Sequence, residues 1–282
     1  MNASPSTARA DNPHRAVPVR QIPPSRPLDW LAAGWRDTWR CGALSLAHGA
    51  GLALFGALLL AVARQKFWLL AGAFSGFLVV APVLATSLYA MSRALEQGHP
   101  IRWVLLRDTW MSWQQSRFVD HGGYWCLVRF GVLLAVAGTG WVLTSAALIT
   151  LFAPAPIQTP LDFLRHVVLA RNHFLFEAWL ALGGVMAAPI FASSVVSMPL
   201  LLDRRISVMN AVLTSWRVVL ANPVPMAVWS ALIMLLVLAG FATLLAGLVL
   251  VVPVLGHASW HAYRDLVDAS PLRQRASSGA PG

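Results

Sequence analysis

Residues 28–63 read LDWLAAGWRDTWRCGALSLAHGAGLALFGALLLAVA, and two kinds of segment meet in them. In the first half, Leu28, Leu31, Trp35 and Trp39 recur every three or four positions, which puts them on one face of a helix with Arg36 and Arg40 beside it. That is the pattern of a helix lying in a headgroup layer: the tryptophan ring is amphipathic, and a guanidinium reaches phosphate. From residue 43 the chain is apolar for about 20 residues, the length that crosses a bilayer core. The stretch therefore predicts an interfacial helix followed by a membrane span.

The rest of the chain continues in kind. Further apolar runs occupy 67–91, 124–152 and 174–201. Residues 224–263 are apolar almost throughout, and about 40 residues as one helix would measure roughly 60 Å against a core of about 30 Å. This run is expected to fold back near Ala246-Gly247, giving spans at 224–245 and 247–265 and six spans in total. Composition agrees: 57% of the 282 residues are hydrophobic and 11% are charged, where soluble domains carry roughly 25% charge. A water-soluble enzyme is excluded. Two cysteines, Cys41 and Cys126, exclude a disulfide framework and any cysteine-rich metal site. The Pro- and Arg-rich 1–27 and the stretch 269–282 read as disordered tails flanking a membrane domain at 28–268. The former lacks the apolar core of a signal peptide.

The net charge of +10 has an address. With six spans, 16 of the 21 basic residues fall on the side of the termini and the 92–123 and 203–223 loops, and four on the other side. Basic residues mark the cytoplasmic side, so both termini are expected there, in an inner membrane. The same charge then reads as a match for anionic lipid headgroups, and nucleic acid is not an expected partner.

The opening stretch is also one copy of a repeat. Arg36-Asp37-Thr38-Trp39 returns as Arg107-Asp108-Thr109-Trp110, and Gly34-Trp35-Arg36 aligns with Ser215-Trp216-Arg217. PVLATSLYAMSRAL from Pro82 aligns with PVLGHASWHAYRDL from Pro253, and PIFASSVVSM from Pro189 shares Ala, Ser and Met positions with the first. The units are about 28–95, 101–205 and 207–266, each an interfacial helix plus a hairpin of spans. Three copies in one orientation predict an all-α membrane fold with a pseudo-threefold axis along the membrane normal.

Candidate chemistry is sparse. His257 and His261 share a helix face and His48 lies early in the first span; they are the candidate ligands for a metal or haem. Burial near the headgroups explains them as well, and a haem–copper centre needs more intramembrane histidines. No metal or other cofactor is expected. Pro82, Pro189 and Pro253 kink three spans and free backbone carbonyls. A cavity on the axis would be lined by Thr86, Ser87, Ser193, Ser194, Ser197 and His257. The interfacial set is Trp35, Arg36, Trp39, Arg40, Arg107, Trp110, Trp216 and Arg217. No phosphate loop, nucleophile elbow or zinc-protease motif occurs, so no enzyme is expected.

Three stretches, VRQIPPSRPLDWLAAGWRDTW (19–39), SMPLLLDRRISVMNAVLTSWRVVLANP (197–223) and PVLGHASWHAYRDLV (253–267), resemble the DUF2189 family of predicted bacterial integral membrane proteins. The resemblance covers about 19–268. It implies a membrane location and a bacterial origin and brings no established activity. Some members of that family are labelled putative cytochrome c oxidase subunits, which the histidine census does not support. Three functional expectations follow. The first is a scaffold, a lipid-interacting factor or an accessory subunit with a membrane-protein partner. The second is a transporter or channel for a small molecule or lipid. The third is a haem- or metal-binding accessory of a respiratory complex.

Overall fold

The structure, a computed structural model, describes residues 17–62, 85–115, 125–170 and 174–275. Among these the chain is helical: α1 (Arg26–Cys41), α2 (Ala43–Val62), α3 (helical over 85–96), α4 (Trp103–Gln115), α5 (Trp125–Phe152), α6 (Pro160–Phe163), α7 (Phe174–Ser194), α8 (Ser197–Asp203), α9 (Val208–Ala221), α10 (Pro223–Ala242) and α11 (Leu248–Leu266), with a π-helical turn at Leu164–Val168.

The helix boundaries follow from local chemistry. α1 opens with a proline in its first turn and Asp29 near its N-terminus, and closes on Arg40, charges that match the helix dipole. Gly42, at φ 57°, ends it, and its N–H donates to the Thr38 carbonyl. Ser207 caps α9 by accepting from the Asn210 N–H at 3.2 Å. Pro223 starts α10 at the position where a missing N–H costs nothing.

Four helical stretches are long and apolar enough to cross a bilayer: Ala43–Ala61, Leu127–Phe152, Phe174–Asp203 and Pro223–Ala242. They coincide within a few residues with the expected first, third, fourth and fifth spans. The fourth is broken at Val195–Val196, where α7 gives way to α8. The expected second span, 67–91, lies mostly outside the described residues, and so does Pro82. The long run from 224 folds back as expected, through a turn at 243–247. There Leu244 and Leu245 adopt φ of 53° and 72°, and the Thr243 hydroxyl accepts from the Gly247 N–H at 2.7 Å. The returning helix α11 covers the expected sixth span at 247–265 but is not among these four stretches. It has the length, but His257, Trp260, His261, Arg264 and Asp265 in its second half keep it out of the set apolar enough to span.

α11 is instead the centre of the fold. α1 and α2 both lie against it. Gly34 lets the backbone of α1 approach Val254 and Ala258, and Gly49 does the same for α2 against Leu248 and Val249. Trp30 of α1 meets Trp229 of α10 edge-on at 5.5 Å. α4 buries Leu106 with Leu88 and Met91 of α3, and α9 lies on α7 and α8.

Both supposed tails are ordered where they are described. The Arg20 N–H donates to the Leu266 carbonyl at 2.9 Å and the Asp268 N–H to Pro18 at 3.0 Å, around an antiparallel bridge between Val19 and Val267. A second bridge joins Arg204 to Gln274. Proline-rich composition reads as disorder, but here the extended backbone finds partners at the opposite end of the sequence.

Candidate functional site

Two polar assemblies lie inside this apolar chain. The first is at the junction of α1, α2, α3 and α11. The turn at Gly42 brings α2 back along α11, so that Ser45 reaches His257: Ser45 Oγ lies 2.8 Å from His257 Nε2. The other ring nitrogen, Nδ1, lies 2.7 Å from Ser92 Oγ of α3. Ser92 in turn donates to Asp37 Oδ2 of α1 at 2.8 Å, and His261 Nε2 lies 2.8 Å from the same oxygen.

Counting protons fixes the direction of each bond. A carboxylate only accepts, so Ser92 spends its single proton on Asp37. His257 must then donate from Nδ1 to Ser92 and accept at Nε2 from the Ser45 hydroxyl. His261 donates from Nε2. Two strings, one from Ser45 through His257 and Ser92 and the other from His261, thus converge on the Asp37 carboxylate. Ser45, Ser92 and His257 are buried, with Asp37 at 5% exposure, while the His261 side chain is 31% exposed. Burial pushes the Asp37 carboxyl up, but the hydrogen bonds from His261 and Ser92 more than offset it and hold it below the usual carboxylate range. Burial and the nearby Asp37 charge push the Cys41 thiol, one turn along α1, up to about 12.

The second assembly joins the C-terminal ends of α3, α8 and α11. Asp203 is buried between Arg93, whose Nε lies 3.2 Å from Oδ1, and Arg204, whose Nε lies 2.8 Å from Oδ2. The Tyr263 hydroxyl donates to Asp203 Oδ2 at 2.7 Å. Arg93 also donates to the Arg275 carbonyl at 2.7 Å, and the Arg275 N–H donates to the Asp203 carbonyl at 2.9 Å, so the C-terminal segment lies across these helix ends. Beside it Arg264 pairs with Glu96 at 2.7 Å, and the Trp260 indole donates to Glu96 at 3.1 Å. Pairing of opposite charges makes their burial tolerable in a low dielectric, although the buried Arg93 Nε approaches Asp203 as an ion pair without making a hydrogen bond.

The structure sorts the expected site residues. His257 and His261 meet through Asp37 and Ser92, whereas His48 is turned to its own helix, Nδ1 lying 2.7 Å from the Leu44 carbonyl. Both His257 nitrogens are taken by serines, and the described residues hold no group of three His, Cys, Asp or Glu side chains placed to share a metal. Of the supposed cavity lining, Thr86, Ser87, Ser197 and His257 are buried. Ser193 faces α9 and accepts from the Trp216 indole at 2.9 Å, and Ser194 donates back to Ile190 in its own helix. Pro189 and Pro253 are inside α7 and α11.

Of the interfacial set, Trp35, Trp39 and Trp216 are 47%, 53% and 38% exposed. Arg36 and Arg40 lie on the same open face of α1, Arg107 is exposed beside Asp108, and Arg217 bonds back to Thr214 at 3.1 Å. The Trp110 side chain lies outside the described residues. Sequence reasoning missed Asp37, Ser45 and Ser92 as members of the first cluster and Arg93, Asp203 and Tyr263 as the second. Apart from Arg204, which adjoins Asp203, their partners stand 55 to 224 positions away, beyond the reach of any local pattern.

No curated protein and no solved structure matches the chain. Over residues 69–203 the chain matches the family model described as DUF2189, predicted integral membrane protein, and with its four apolar helices it is an integral membrane protein.

Proposed function

We propose that the chain is a three-repeat membrane scaffold whose interfacial helices bind anionic lipid headgroups in the cytoplasmic leaflet of an inner membrane. The observation that carries this reading is the inverted polarity of those helices. α1 buries Asp37 and Thr38 and leaves Leu28, Trp35 and Trp39 open; α9 buries Thr214 and Ser215 and leaves Met209, Leu213, Trp216 and Leu220 open. In water that arrangement would be reversed. With Arg36, Arg40 and Arg217 at their margins, the open faces suit the boundary between acyl chains and phosphates.

The threefold reading is supported by matching contacts. Counting from the aligned prolines, Arg93 of the first copy pairs with Asp203 of the second, and Arg264 of the third pairs with Glu96 of the first. Both are arginine at Pro+11 against acid at Pro+14. The third such pair is Leu200 with Val267, and both are buried in one apolar cluster. The interfacial helices follow the same cycle: α1 lies on α11, α4 on α3, and α9 on α7 and α8. In this reading α11 and the segment ending in α3 complete six spans.

A packed axis fits the scaffold better than a conduit, since Arg93, Asp203 and Tyr263 meet between the three inner helices at one end. Two measurements test the proposal. A reporter fused after Gly282 is expected to act as cytoplasmic, and a signal from the other side overturns the orientation. Native mass spectrometry of protein extracted with its lipid is expected to show anionic lipid that is lost from an Arg36/Arg40/Arg217→Ala variant; equal retention overturns the headgroup reading.

A further inference from the structure

The repeat supplies a comparison inside one chain. Where α9 and α10 meet α7 and α8, the positions equivalent to Asp37, Ser45 and His48 are Val218, Met226 and Trp229, all buried. Those equivalent to His257 and His261 are Ser193 and Ser197. Apolar and small side chains thus suffice to hold that interface. At the interface of the first and third copies the same positions carry a carboxylate and three imidazoles. Their burial costs desolvation that packing does not require.

We propose that this cluster is a proton-binding site. His261 takes up one proton from water on Nδ1, the nitrogen turned away from Asp37. One N–H bond forms, hydronium returns to water, and the new positive charge is held against the Asp37 carboxylate through the existing Nε2 contact of 2.8 Å. Ser92 fixes the carboxylate, and His257, itself fixed by Ser45, fixes Ser92.

The surroundings favour a proton. The partners that Asp37 accepts from are a neutral hydroxyl and an imidazole, so its buried charge is balanced once that imidazole becomes a cation. Of the other titratable groups on the elements packed here, Cys41, His48 and His257 are buried, Tyr89 of α3 is turned to Ser259 and Tyr263 of α11 to Asp203, and Arg36 and Arg40 lie on the open face of α1. The charged groups of α3 and α11 are turned elsewhere: Arg93 to Asp203, Glu96 to Arg264, and Asp265 to Arg26. His261, partly open, is the entry; the rest of the cluster is closed.

The comparison between copies rests on the threefold reading, whereas the hydrogen-bonded strings stand without it. The test is proton uptake by the purified full chain in lipid nanodiscs after a pH jump from about 8 to about 5, the histidine range. His261→Gln is expected to take up about one proton fewer than the wild type. Asp37→Asn is expected to move this uptake to lower pH, because the attracting charge is gone. Ser92→Ala is expected to act in the opposite direction and strengthen it, because Asp37 then shares its charge with one partner fewer. A general loosening of the fold would move both variants the same way. Asp108→Asn, the equivalent position in the second copy, is expected to change nothing. Equal uptake by wild type and His261→Gln, or the same direction of shift for Asp37→Asn and Ser92→Ala, overturns the proposal. A change with Asp108→Asn while the other variants behave as stated would instead count against the threefold comparison.

Discussion

Gly34 and Asp37, one helical turn apart on α1, both lie on its covered face, Gly34 against the backbone of α11. A Cβ on Gly34 would lie 2.5 Å from the Val254 carbonyl and 2.7 Å from the Ala258 nitrogen, backbone atoms that cannot swing aside. Gly34→Ala is therefore expected to cost about 1–3 kcal/mol, read as a lower thermal midpoint in detergent. Gly51→Ala, which meets nothing within 4 Å, is expected to be neutral or slightly stabilising. At Asp37 the folded-state carboxyl is held below its ordinary range. Its contribution to stability is thus in place above the ordinary carboxylate range and is lost as pH falls through the lowered value. Below the ordinary carboxylate range the gap in thermal midpoint between wild type and Asp37→Asn is expected to close as pH falls further; a constant gap there would contradict this. The sequence flagged His257 and His261 because four residues make one turn. It was silent on Asp37, Ser45 and Ser92, because a serine or aspartate on an amphipathic helix has the same local pattern whether it faces lipid, water or a distant histidine.

At the scale of the element, helix order and most span boundaries were legible, since about 20 apolar residues between polar turns leave the chain few choices. The direction in which each interfacial helix faces was not. The spacing put Trp35 and Trp39 on one side of α1, but only the approach of α11 to Gly34 shows which side is covered. That arrangement predicts shallow tryptophans. Lipids brominated near the headgroup are expected to quench the Trp35 and Trp39 emission more than lipids brominated near the acyl terminus. The difference is expected to shrink in Trp35→Phe/Trp39→Phe. The character of α11 was only half legible for a physical reason: its length and its apolar start match a span, while its second half is polar because it faces other helices.

For the whole molecule, the ends of α3, α8 and α11 are tied together by charges that are expensive to bury alone. Arg93→Ala would leave Asp203 buried with Arg204 and Tyr263 and is expected to destabilise by about 3–5 kcal/mol. Arg93→Leu/Asp203→Leu, which removes both charges, is expected to lose less. A thermal-shift series on the two variants checks the order. Neither tail's composition hinted at its part in this closure: Val19 pairs with Val267, and Gln274 with Arg204.

That closure has a consequence for how the protein is made. α1 leaves the ribosome well before its covering partner, α11. Until then α1 has only part of its protein surface, Ser92 of α3 for Asp37 and Trp229 of α10 for Trp30, and its open tryptophan face helps to keep it in place. The early chain must wait on the lipid surface while the residues from Gly42 to Gly247 are inserted after it. Contacts so distant in sequence form late. A nascent chain stopped before residue 248 would then lack the helix that covers most of the inner face of α1, and the packing of α1 and α2 would wait on α11.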